Sequence, residues 1–98
     1  MSTSKKKYEI VFVNGRIAQA WQQLESEFPD RIADCIKFLQ NNPENRMEAI
    51  GILKKLKGRH KGILQYDITK NDARVWYVVD KKNKVVSIRY AGHHPDKY

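Results

Sequence analysis

A chain of 98 residues buries roughly 60 to 70 per cent of its unfolded surface, enough for one modest core and a single domain. Its 19 Lys and Arg against 11 Asp and Glu give a net charge of +8, which favours nucleic acid or an acidic protein as partner. Cys35 is the one cysteine, so an intrachain disulfide and a cysteine-based metal cage are both excluded.

The chain opens on "MSTSKKK", a polar stretch read as a flexible basic leader over residues 1–7, ahead of a domain over 8–98. The apolar run that follows is about five residues, too short for a secretory core or a membrane span, so a soluble, cytoplasmic protein is expected. "YEIVFV", Tyr8 to Val13, is short, β-branched and aromatic, and "NG" stops it; this is the first strand. Ile17, Trp21, Leu24 and Phe28 then recur at the period of one helical face, with Asn14 available as N-cap. Pro29 suits a first helical turn, and Ile32, Ile36 and Leu39 repeat that spacing until "NNP" ends the second helix.

Pro43 to Gly62 reads as a short helix or turn around Met47 to Leu53, followed by a loop. Three runs rich in β-formers come next, Ile63 to Thr69, Ala73 to Asp80 and Lys84 to Ala91, joined by "KND" and "KKN". Such short polar connectors make an antiparallel meander. Alternation puts Val75, Tyr77 and Val79 opposite Arg74, Trp76 and Val78, and puts Val86, Ile88 and Tyr90 opposite Val85, Ser87 and Arg89. The expected fold is α+β in the order β-α-α-β-β-β, a two-helix hairpin on one face of a twisted, antiparallel-rich sheet.

Three stretches can carry chemistry. "KKLKGRHK", residues 54–61, holds Lys54, Lys55, Lys57, Arg59, Lys61 and His60, a density of positive charge that attracts a phosphate backbone or is simply a solvated loop. Arg74 sits within an apolar strand; there it either covers Trp76 on an open face or aims its guanidinium fork at a phosphate, and Arg89 is open to the same two readings. In "AGHHPDKY", His93 and His94 titrate near neutral pH, and Tyr98 can exchange a proton or stack on a base. The same tail can equally be a frayed end. No helical His-x-x-x-His pair supports a metal site, and no metal or cofactor is expected. Cys35, on the apolar side of the second helix, reads as a small buried hydrophobe rather than a nucleophile.

The element order, "KKLKG" before a strand, "DARVWYVVD", and "VVSIRYAGHHPDKY" together resemble the RelE/ParE superfamily of bacterial toxin-antitoxin toxins, over most of the chain from Tyr8. What the resemblance to its ribosome-dependent RNase branch implies is cleavage of messenger RNA in the ribosomal A site, by attack of a ribose 2′-OH on the adjacent phosphate. Matched to the family's motifs, Arg74 would hold the scissile phosphate, His94 would occupy the late basic position and Tyr98 the late tyrosine, with His93 as a competing proton carrier. Lys54, Lys55, Lys57, Arg59, Lys61 and Arg89 would grip the RNA. Where such relatives alternate two basic residues on the second strand, this chain has Gln65 and Asp67, so the charge would come from Lys57, Arg59 or Lys61.

The resemblance also implies a cognate antitoxin with an acidic or amphipathic segment, alongside mRNA and the ribosome as partners, and no membrane. Two other readings stand beside the RNase. One is a ParE-like poison of DNA gyrase with no nuclease site; the other is a plain nucleic-acid-binding module.

Overall fold

Asn14 starts the first helix as its spacing requires. Its side chain accepts the Ile17 amide at 2.9 Å, satisfying one of the donors that a helix N-terminus leaves without a partner. In this computed structural model, which describes residues 7–45, 47, 49–70 and 72–93, helix α1 spans Gly15–Glu27 and α2 spans Pro29–Asn41. The leader up to residue 6, and His94 and Tyr98 at the other end, lie outside the described residues. Trp21 and Leu24 are buried from α1, and Ile32, Cys35, Phe38 and Leu39 from α2. Ile36 is only half-buried, so the apolar stripe of α2 is rotated slightly towards Cys35 and Phe38. Burial pushes the Cys35 thiol well above its ordinary range, as expected for a small hydrophobe in the core. No helix among the described residues is long and apolar enough to cross a membrane.

The strands are β1 Glu9–Phe12, β2 Leu53–Lys55, β3 Leu64–Asp67, β4 Arg74–Asp80 and β5 Val85–Gly92. They form one sheet in the order β1-β5-β4-β3-β2, antiparallel except for the parallel pair β1 and β5. The sheet therefore has one strand more than the sequence suggests, because β2 is built from the start of the basic stretch. Of the short helix or turn read around Met47 to Leu53, the described residues form the turn. Gly51 takes φ +79°, a left-handed conformation that breaks a helical run. The Ile52 and Leu53 amides both donate to the Ala49 carbonyl and close that turn.

Both helices pack on the same face of the sheet, over Leu64, Tyr66, Val75, Tyr77, Val86, Ile88 and Ala91. Phe12 meets Trp21 edge-on at 5.6 Å and Phe38 meets Tyr66 at 5.4 Å, arrangements that suit the quadrupoles of paired rings. The alternation in β4 is as read from sequence, with Val75 and Tyr77 fully buried. In β5 it changes partway. Trp76 lies opposite Tyr90 but Tyr77 lies opposite Ile88, so a β-bulge inserts Arg89 between the two pairs. One extra residue moves every later side chain to the other face. Tyr90, expected beside Val86 and Ile88, consequently joins Trp76, and Ala91 takes the buried place opposite Val75.

Candidate functional site

Opposite the helices lies the other face of the sheet, and the strand registers decide which side chains meet there. Lys54, Gln65, Trp76 and Tyr90 lie opposite one another across four strands, and Asp67, Arg74 and Gly92 form the next row. Glycines 58 and 62, at φ +68° and +94°, bracket a single 3-10 turn, Gly58–His60. These left-handed corners, which glycine adopts without steric cost, bring the β2–β3 connection back over the sheet. His60 there packs on Trp76 at 4.8 Å between ring centroids, and Trp76 packs on Tyr90 at 5.3 Å. The open face thus carries a row of three aromatic rings, each half-buried.

The middle ring is pinned from below. The Trp76 indole N–H donates to Gln65 Oε1 at 2.9 Å, and Gln65 Nε2 donates to Asp67 Oδ1 at 2.9 Å. Lys54 Nζ closes the chain on Asp67 Oδ2 at 3.3 Å. Gln65 is 5% exposed, and a buried amide is stable only when both of its ends are satisfied, as they are here.

Arg74 lies two residues from Trp76 on the same face of β4 and is half-buried. Its Nε donates to the Asp72 carbonyl at 3.3 Å, which orients the guanidinium while its two terminal nitrogens make no hydrogen bond among the described residues. Burial raises the Tyr90 phenol above its ordinary value, and the nearby Arg74 charge works against that rise. Tyr90 therefore stays a neutral hydroxyl at physiological pH and donates to the His93 carbonyl.

His93 is placed differently from a free proton carrier. Nδ1 lies 2.6 Å from Asp72 Oδ2 and Nε2 lies 3.0 Å from Glu27 Oε1, with Phe28 edge-on at 6.5 Å. The hydrogen bond to Asp72 raises the imidazole above its ordinary 6.5; burial opposes that rise, and the bond to Glu27 adds a further one. The protonated ring ties the end of β5 to the end of α1. Its contribution to stability is complete below pH 6.5 and is lost as pH rises through the elevated native value. The melting-temperature gap between wild type and His93→Gln should therefore be widest near pH 6 and shrink steadily towards pH 8, while a constant gap would mean that the charge contributes nothing.

The basic residues divide between two places. Lys54 and Arg89 accompany Arg74, Arg89 being exposed at the bulge. Lys55, Lys57 and Lys61 instead rim a separate hollow floored by Leu56, Ile63, Leu64 and Val79, and Arg59 is exposed on the 3-10 turn. Sequence reasoning assigned no role to Trp76, Tyr90 or Gln65. The available signal was the polar pair Gln65 and Asp67, two residues apart in a strand, where alternation sets them beside Trp76 on its own face.

The mixed five-stranded sheet with both helices on one face is similar in fold to solved RelE, YoeB and YoeB/ParE toxins. An archaeal RelE–RelB complex from Pyrococcus horikoshii OT3 is 22% identical, with a TM-score of 0.65 over 92% of this chain and 98% of that one. A YoeB–YefM complex from Staphylococcus aureus is 23% identical, with a TM-score of 0.67 over 89% of this chain and 97% of that one. A YoeB/ParE toxin from Agrobacterium tumefaciens is 20% identical, with a TM-score of 0.68 over 88% and 98% respectively. No family model and no curated protein sequence matches the chain.

Proposed function

We propose that this protein is the toxin of a toxin-antitoxin pair, acting in the cytoplasm as a metal-independent endoribonuclease on translated mRNA. The observation that carries the reading is Arg74, a half-buried cation on the sheet face away from the helices, oriented through its Nε. A guanidinium so placed grips two phosphate oxygens at once and neutralises charge as it builds on them. The fold shared with RelE and YoeB toxins supports the same reading.

In the reaction, a ribose 2′-oxygen attacks the neighbouring phosphorus as a base takes its proton. The P–O5′ bond breaks as an acid protonates the leaving oxygen, giving a 2′,3′-cyclic phosphate and a 5′-hydroxyl. Arg74 holds the phosphate, and His94 and Tyr98 are the groups assigned to the two proton transfers. His93, whose ring nitrogens both face carboxylates, anchors the strand from which that tail emerges. Lys54 and Arg89 attract the RNA backbone to the same face, with Arg59 beside it. Lys55, Lys57 and Lys61 add to the attraction and suit an acidic antitoxin segment.

Wild-type protein expressed from a tightly repressed promoter tests this, with 5′ ends mapped on a translated and an untranslatable copy of one transcript. New ends on the translated copy alone are expected. Growth arrest without new ends would discard the nuclease and direct attention to gyrase, and normal growth would discard toxicity altogether.

A further inference from the structure

We propose that the His60–Trp76–Tyr90 row is a nucleobase platform, on which one base of a single-stranded RNA stacks while the phosphate of the same nucleotide meets Arg74. This rests on the RNA reading above and adds to it the part of the substrate that is held. Three half-buried aromatic rings in contact on the sheet face away from the helices, at 4.8 and 5.3 Å, present π surface where a base can stack whatever its identity. The pinning of Trp76 points the same way. Its only hydrogen-bond donor is already spent on Gln65, so the ring has no polar group left to read a base edge and offers stacking alone.

The spacing to Arg74 is set by the strand. Residues two apart on one face are separated by about 6.5 to 7 Å, within the reach from a base to its own phosphate through the sugar. The Lys54–Asp67–Gln65 chain keeps the indole from swinging as a ligand arrives, so the platform is formed in advance and little ordering is left to binding.

The chain has two tryptophans, and Trp21 is 5% exposed in the core, so a ligand on the open face reports through Trp76. The probes are a 2′-O-methyl RNA trinucleotide, which lacks the attacking hydroxyl, and the same trinucleotide with its central base removed. Fluorescence quenching by the first and not by the second is expected. Trp76→Phe, which keeps a ring and can be checked for folding by circular dichroism, should lose the quenching. Trp76→Ala should weaken binding, followed by anisotropy of a labelled trinucleotide, by about 5- to 150-fold.

Equal quenching by both probes, quenching that survives Trp76→Phe, or no quenching at all would overturn the platform. Base-dependent quenching by a protein that cuts no translated transcript would keep the platform and remove the nuclease. Cutting without base-dependent quenching would do the reverse.

Discussion

Replacing Arg74 with alanine should lower cleavage of translated mRNA by about 10²- to 10³-fold, the usual effect of removing one preorganised donor from a developing anion. Stability should change little, since the side chain is half-buried and its hydrogen bond among the described residues is to a backbone carbonyl. Arg74→Lys should recover only part of the loss, because an ammonium restores the charge without the planar fork. Single-turnover cleavage on programmed ribosomes separates chemistry from binding. Cleavage by Arg74→Ala at the wild-type rate would remove this residue from the mechanism and leave the open face without its phosphate anchor.

The largest effect on folding is expected at Tyr77. It is fully buried, flanked across the sheet by Leu64 and Ile88, and its hydroxyl donates to the Pro43 carbonyl at 2.6 Å. Burial also pushes its phenol far above the ordinary range, so it remains a donor. Truncation to alanine removes a ring from the centre of the core and should cost about 3 to 5 kcal/mol. Against a total of about 5 to 15 kcal/mol for a domain of this size, that is a third or more of the stability at the middle of the range and nearly all of it at the low end. Tyr77→Phe keeps the packing but strands the Pro43 carbonyl, at a cost of about 1 to 3 kcal/mol. Urea denaturation would resolve the two, and a phenylalanine variant as stable as wild type would show that the carbonyl finds another donor.

The helices were legible because their signal is local. Ile17, Trp21 and Leu24 mark the buried side of α1 by spacing alone, and Asn14 caps it through a bond three residues away. Strand β4 was legible for the same reason, its alternation sorting Val75 and Tyr77 from Arg74 and Trp76. Strand β2 was not, since three residues, two of them lysine, show no period, and only pairing with β3 makes them a strand. The β5 bulge is a property of two strands together, so the sequence of β5 placed Tyr90 on the wrong face. The His93 clamp depends on partners 21 and 66 residues away, a separation no motif encodes. Arg74 was found because a charge among β-formers is costly enough to demand a reason.

The parallel pairing of β1 with β5 bears on when this molecule can exist. The strand synthesised last of the five sits between β1 and β4, so during translation β1 has no neighbour in the sheet and the α1 face has no floor. Folding must await closure of the longest loop in the sheet, which makes it slow relative to chains built from local contacts. Until that closure the edges of β1 and β4 that β5 will pair stand open to any other strand.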